Sequence, residues 1–375
     1  MKDFLYIGPK APPVTGYANI VTALAACFLK EGAEITYISS VPTWCSRFYP
    51  GWKWKLLRLT YMIFLLPCMV AFIPFHSKVY LNLNGGLAQI FDVVIIFFAR
   101  CAFKKIILHH NSFSYINKKN YLSSFLFYLA GYKAVHVVNC TEMKAKISKV
   151  YSAIKIVKIV SNASILILDN SKEFCFIEKN DFFKQVEDVA KNTLTLGFMG
   201  YMNQEKGIDL FCHTVKRLNK IGIKTRGVAV GPIHDECLVA QLIQECDSFV
   251  DFRQPLYGEE RDVFFNNIDL LLFPSKYLSE AEPLTVYHAL FKGVPIISTK
   301  IGCLSSMLAG FSHCISYEGD VYIEEASAYI KKNLIPILDE IKRDRPLVIK
   351  ENYRKLSLDV ESFRSFIKEI VALNN

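Results

Sequence analysis

Apolar positions along this chain follow two rhythms. Short unbroken runs such as DFLYIG read as buried strands, while longer stretches with apolar residues three and four apart, such as GYANIVTALAACFLKEG closed by Gly32, read as helices. In the first half, strands are expected at DFLYIG, AEITYIS, SKVYLNL, KKIILHH, KAVHVVN and IKIVKIV, with helical patterns between them. The pattern loosens over SNASILILDNSKEFCFIEKNDFFKQ, which reads as a crossing between domains. It resumes with LTLGFMG, GIDLFCHTVKRLNKIG, TRGVAVG, ECLVAQLIQECD, FVDFRQP, EERDVFFNNI, DLLLFPS and VPIIST. Repeated strand–helix units with wholly apolar strands predict parallel sheets covered on both faces. The expected fold class is therefore α/β, with two doubly wound, Rossmann-like domains over residues 1–165 and 166–350, facing a central cleft. Residues 351–375 are expected to supply a helix that packs back across the junction. No short fixed-period repeat occurs, which excludes a solenoid.

Composition supports two cores: the chain has 375 residues, 52% of them hydrophobic, and a mean hydropathy of +0.23. Charge is unevenly placed. Residues 1–170 carry 19 Lys/Arg against 6 Asp/Glu, and residues 171–375 carry 25 against 29, so the first part is +13 and the second −4. A basic half suits an anionic partner such as a membrane surface, a diphosphate-linked lipid or nucleic acid, or else is a solvated basic face. Leu59–Phe75 is uncharged, interrupted by Pro67 and Pro74, and flanked by Lys53, Lys55, Arg58, His76 and Lys78. It reads as lying in the headgroup layer of a membrane, with a buried core helix and a true span as the alternatives. Eleven cysteines without a Cys-x-x-Cys pair read as small buried hydrophobes in a reducing compartment. The start, MKDFLYIGPK, runs directly into a strand pattern, and the expected location is the cytoplasm.

Ligands of open parallel sheets bind beyond the carboxyl ends of the strands, where loops lead into helix N-termini. Three loops have that form. GPKAPPVTGYAN follows the first strand, and Gly16 there leaves room for a ligand beside the first amides of a helix. GYMNQEKGID places Lys206 before Gly207 at a helix start, a position for a cation beside a phosphate. LSEAEPLTVYHALFKGVPIIST offers Glu280 and Glu282 for hydroxyl groups and the amides of Leu284 and Thr285 for a phosphate. Pro283 is expected in the first helical turn, and the His288 imidazole one turn further on. The bland readings are a turn glycine, a solvated lysine and a capping pair of carboxylates on an exposed loop. Taken together, the groups suit a sugar joined to a nucleotide diphosphate.

Residues 194–310 resemble the donor-binding domain of retaining GT-B glycosyltransferases (group 1, family 4-like), the bacterial enzymes that build O-antigen, capsule and exopolysaccharide. The resemblance rests on GFMGYMNQEKGIDL, VAVGPI, FFNNIDLLLFPS, SEAEPLTVYHALFKGVPIIST and IGCLSSML in that order, and more loosely on the Gly16 loop, LHHNSFSY and VSNAS. It implies that Lys206 meets the donor diphosphate and that Glu280, the first carboxylate of a Glu-x7-Glu motif, contacts the transferred sugar. His288 stands where the second, ribose-binding carboxylate is usual, and Tyr201 where an arginine is frequent. His110 corresponds to a histidine near the transferred sugar. The implied catalytic set is Glu280, His110 and Lys206. The implied donor-binding set is Gly16, Tyr201, Lys206, Glu282, Pro283, Leu284, Thr285 and His288. An unperturbed histidine at 288 would titrate near pH ~6.5.

No Asp-x-Asp occurs, so no metal and no cofactor beyond the nucleotide-sugar substrate are expected. The expected partners are a nucleotide-sugar donor, a lipid-linked or oligosaccharide acceptor and the inner leaflet of the cell membrane, with no nucleic acid. The alternatives are a nucleotide-sugar 2-epimerase on the same fold and a non-catalytic assembly partner. A nicotinamide-dependent oxidoreductase is disfavoured because no G-x-G-x-x-G follows either first strand.

Overall fold

The structure, a computed structural model, describes residues 2–49, 51–169, 193–246 and 248–372. Most of the expected crossing between domains, from residue 170 onward, lies outside them. The described residues fall into two compact units, those of Met1–Phe174 with Ser357–Asn375 and those of Cys175–Leu356.

The first unit contains β1 (Lys2–Gly8), β2 (Ile35–Ser39), β3 (His76–Asn82), β4 (Lys105–His109), β5 (Val135–Val138) and β6 (Ile156–Ile159). They form one parallel sheet in the order β2-β1-β3-β4-β5-β6. Its helices are α1 (Gly16–Lys30), α2 (Trp52–Phe72), α3 (Gln89–Cys101), α4 (Tyr121–Ala130), α5 (Thr141–Val150) and α6 (Asn162–Asp169). The chain moves one way from β1 to β2 and the other way from β2 through β6. Right-handed crossovers therefore put α1 on one face of the sheet and α2 to α5 on the other. The α1 face is covered further by α6 and by the terminal helix, whose bounds are given below.

Apolar strands bury an aromatic stack, with Tyr6 and Tyr80 rings 5.1 Å apart and Tyr6 Oη donating to Val21 O at 2.8 Å. The Lys78 ammonium, on a buried residue, donates to Val371 O at 2.9 Å, and desolvation holds its pKa below the usual lysine range. Helix α2 departs from this economy. It buries only Trp54, Met62 and Met69, and Pro67 lies inside it. The stretch Trp52–Phe75 is long and apolar enough to cross a membrane, yet 17% of its most apolar window is buried, which corrects the core-helix alternative.

The second unit contains β7 (Leu194–Met199), β8 (Thr225–Val230), β9 (Val250–Arg253), β10 (Leu270–Phe273), β11 (Ile296–Thr299) and β12 (Ile315–Tyr317), a second parallel sheet in the order β12-β11-β10-β7-β8-β9. Its helices are α7 (Ile208–Lys220), α8 (Glu236–Cys246), α9 (Gly258–Asn267), α10 (Leu284–Phe291), α11 (Leu304–Leu308), α12 (Tyr322–Tyr329) and α13 (Leu338–Leu356). The chain then returns to the first unit with α14 (Val360–Ala372). The α/β class with two doubly wound sheets is the one that the strand pattern predicts.

Short β12 and the polar helix α13, which contains Pro346, carry no such pattern. Helix α13 is anchored by hydrogen bonds from side chains to backbone. Arg345 donates to Phe265 O at 2.5 Å, Lys292 O at 2.8 Å and Asn266 O at 3.2 Å, and Asn352 Nδ2 donates to Leu290 O at 2.8 Å. Arg345 thus satisfies carbonyls at the ends of both α9 and α10, where a positive charge also meets the negative ends of the helix dipoles. Among the described residues, Cys27, Cys45, Cys212 and Cys246 are buried as expected, whereas Cys68, Cys101 and Cys237 are exposed.

Candidate active site

In the second unit, the loops beyond the carboxyl ends of β7, β10 and β11 are drawn together by close backbone approach. Gly207, at φ 75°, caps α7, and a Cβ there would lie 2.0 Å from Pro274 O beyond β10. Gly302, at φ 55°, follows β11, and a Cβ there would lie 2.1 Å from Glu280 O. Only glycine fits either contact, because both the backbone angle and the space exclude a side chain.

These approaches bring Lys206 to Glu280. The Lys206 amide donates to Asn203 Oδ1 at 2.8 Å, which fixes the loop after β7. Its Nζ lies 2.5 Å from Glu280 Oε2 and 4.9 Å from the centre of the Tyr277 ring. Glu280 also accepts from Ser275 Oγ at 3.1 Å. The two charged side chains are 20% and 11% exposed, so the pair can be reached by a ligand but is largely shielded from water. Ser275 and Tyr277 were not singled out from the sequence. Their signal was position alone, at the end of DLLLFPS and just beyond it.

Glu282 is buried, which corrects the reading of an exposed capping pair. Pro283 is the N-cap of α10 with extended backbone, φ −70° and ψ 128°, so it precedes the first turn instead of occupying it. Leu284 and Thr285 open the helix, and their amides belong to its unsatisfied, positive end. Tyr201, beyond β7, packs its ring 5.3 Å from that of His234.

His288 meets a residue the sequence did not suggest. Its Nε2 lies 3.3 Å from Arg261 Nη1 on α9, and Arg261 pairs with Asp262, which pairs with Lys292 at 2.9 Å. Burial, reinforced by Arg261, pushes the His288 pKa down to about 3. The expected titration near neutrality is corrected: His288 is a neutral imidazole whose lone pair faces a guanidinium. No local pattern could have disclosed Arg261, which lies 27 positions away.

Gly16 and His110 belong to the first unit. Gly16 is the first residue of α1, exposed, beside an N-cap in which Thr15 Oγ1 accepts from the Ala18 amide at 3.1 Å. His110 is fully buried, and both ring nitrogens are engaged, Nδ1 with Tyr115 Oη at 3.1 Å and Nε2 with His136 Nδ1 at 2.9 Å. Burial, with His136 and His109 nearby, holds it far below the usual histidine range. Its expected place beside a transferred sugar is therefore corrected: His110 is a neutral, stacked member of the core.

The loop beyond β3 shows a different arrangement. Asn84 donates to Asp92 twice, from its amide at 2.9 Å and from Nδ2 at 2.7 Å, and its Oδ1 accepts from Arg58 Nη2 of α2 at 2.8 Å. Leu83 O accepts from Tyr17 Oη in the first turn of α1 at 3.1 Å. Asp92 is fully buried, and burial outweighs these partners, raising its pKa to about 7.

Residues 193–330 match the family described as Glycosyl transferases group 1. No curated protein matches the chain by sequence. Among solved structures, Anabaena HepE bound to UDP has 12% identity and a TM-score of 0.65, over 99% of each chain. Sucrose-phosphate synthase from Thermosynechococcus elongatus has 10% identity and a TM-score of 0.64, covering 98% of this chain and 100% of its own. The pneumococcal O-GlcNAc transferase GtfA, in complex with UDP and GlcNAc, has 12% identity and a TM-score of 0.55, over 81% of this chain and 60% of its own. Residues 193–330 are thus similar to glycosyl transferases group 1, and the chain that carries them has the two-domain GT-B fold of these solved structures.

Proposed function

We propose that the chain is a retaining glycosyltransferase that moves a sugar from a nucleotide-diphosphate donor to a lipid-linked saccharide, in surface polysaccharide assembly at the inner face of the cell membrane. The observation that carries this reading is the Lys206–Glu280 pair, shielded but reachable, beside the N-terminus of α10. A cation, a carboxylate and unsatisfied amides in one place serve the three parts of such a donor. Lys206 and the Leu284 and Thr285 amides take the diphosphate, Glu280 and Glu282 accept from sugar hydroxyls, and His288 with Arg261 takes the ribose. Tyr201 and Gly16 are proposed donor contacts of the two domains.

In the reaction, the bond from the anomeric carbon to the diphosphate oxygen breaks while the acceptor oxygen bonds on the same face, and the acceptor proton passes to the departing phosphate. The negative charge that develops on the diphosphate is what Lys206 and the helix amides stabilise. Neither a general base nor a metal is required for this assignment. HepE has been crystallised with UDP-glucose, which makes a uridine diphosphate sugar the first donor to try.

The test is incubation with a panel of nucleotide sugars and a crude lipid-linked acceptor fraction, reading nucleoside diphosphate release and the anomeric configuration of the product. Acceptor-dependent release with retained configuration, unaffected by a chelator, is expected. Isomerised donor without release would assign an epimerase, and neither binding nor release would leave an assembly partner.

A further inference from the structure

Between Glu34 and Glu142 the sequence carries eleven Lys/Arg and a single acidic residue, Asp92, which is fully buried against Asn84. Every exposed charge in that span is therefore positive. The span builds α2, α3 and α4, which lie side by side on one face of the first sheet because their crossovers run in the same direction. That face is not covered as a soluble face would be. Phe64 on α2 is 80% exposed and Tyr128 on α4 is 76% exposed, and Phe97 on α3, Phe125 on α4 and Tyr132 just beyond it are exposed as well. Between α2 and α3 an open surface groove of about 290 Å³ is lined by Val70, Ile73, Pro74, Phe98, Cys101 and Ala102, with no polar side chain besides the thiol. The Lys104 ammonium donates to Pro74 O at 3.0 Å at its rim.

We infer that α2, α3 and α4 together form one docking surface for an anionic lipid bilayer, with the open groove between α2 and α3 facing its acyl chains. This inference rests on the membrane reading above and extends it from a single helix to a three-helix face. Charge decides the occupant. A protein partner would need its own acidic surface, whereas a bilayer with anionic headgroups supplies negative charge and apolar depth in the same plane. The tyrosines suit that plane, since an aromatic ring with a polar tip sits at headgroup level. The one guanidinium of α2 does not serve the surface, because Arg58 turns inward to Asn84.

The experiment is co-sedimentation of the full chain with vesicles of phosphatidylcholine alone or with added phosphatidylglycerol, comparing wild type, Phe64→Glu on α2 and Tyr128→Glu on α4. Wild type should bind only the anionic vesicles and release with salt, and each variant should bind about tenfold more weakly, since it loses one inserted aromatic ring and adds one negative charge against the anionic surface potential. If Tyr128→Glu binds as wild type does while Phe64→Glu is weakened, the three-helix surface is wrong and docking by α2 stands. If wild type binds neither vesicle, the membrane reading itself falls, and self-association under the same conditions would identify a second copy as the occupant. Equal binding to both vesicle types would overturn the role of charge. Tyr132→Glu, at an exposed position beyond α4, is the second α4-side variant should Tyr128→Glu unfold.

Discussion

Lys206 Nζ and Glu280 Oε2 lie 2.5 Å apart across 74 positions of sequence, so the cation and carboxylate proposed to meet the donor hold one another before any ligand arrives. A pair of this kind binds its ligand by exchange: the ammonium turns to phosphate and the carboxylate to hydroxyl groups. Glu280→Gln removes the carboxylate charge and leaves Lys206 uncompensated. Transfer should fall by about 10²-fold or more, on the scale of one lost transition-state contact, while nucleoside diphosphate binds at least as tightly as to wild type. Calorimetry of the diphosphate alongside turnover checks both halves. Unchanged turnover in a folded variant would remove Glu280 from the site.

Lys206→Ala should lower turnover as well as donor affinity, because the charge it neutralises grows as the diphosphate leaves. A rise confined to the Michaelis constant would make Lys206 a uniform binder.

His288 is held neutral, with a pKa of about 3. Nucleoside diphosphate affinity should therefore show no histidine-like break attributable to residue 288 between about pH 5.5 and 7.5. Wild type and His288→Gln should give parallel pH profiles over that interval. A break near pH ~6.5 in wild type that vanishes in the variant would show that the imidazole titrates freely.

The strands were legible because a parallel sheet buried on both faces needs unbroken apolar runs, and LTLGFMG or SKVYLNL can be little else. The pairing of Lys206 with Glu280 was half legible. Each residue stood at a loop the fold rule singles out, but their mutual contact depends on Gly207 and Gly302, whose roles are set by Pro274 O and Glu280 O in other loops. His110 was misread because its short motif looks the same whether the ring points out or inward. Only β5, which places His136 against it, decides. Arg261 left no trace, since nothing in GEERDVFFNN marks one arginine as a neighbour of α10.

The glycine contacts can be separated into backbone and space. Gly222→Ala, at φ 84° with nothing within 4 Å, should cost only the left-handed backbone penalty of about 1–2 kcal/mol. Gly207→Ala, at φ 75° and with Pro274 O in the way, should cost that plus about 1–3 kcal/mol of overpacking and should also weaken donor binding. Denaturant unfolding of both variants checks this. Equal losses would mean the loops after β7 and β10 part at little cost.

Asp92 gives the first domain a pH signature. Its folded-state pKa of about 7 lies above the unfolded value of ~3.9, so between them the folded chain binds more protons than the unfolded one. The stability it contributes is present below the lower value and is lost as pH rises through the upper one. The thermal midpoint should include a component that declines between pH ~4 and ~7 and levels off above, and Asp92→Asn should remove it. A variant whose midpoint falls with pH as steeply as wild type would place the dependence elsewhere.

The anchoring of α13 limits how the second domain can be cut out as an independent polypeptide. Arg345 and Asn352 close the carbonyl ends of α9 and α10, the helices that carry Arg261 and His288. A fragment ended at the last strand, β12, would retain its whole parallel sheet and still expose those helix ends. The shortest excised fragment that keeps both clamps must run through Asn352, well beyond the last residue of the sheet that the helices cover.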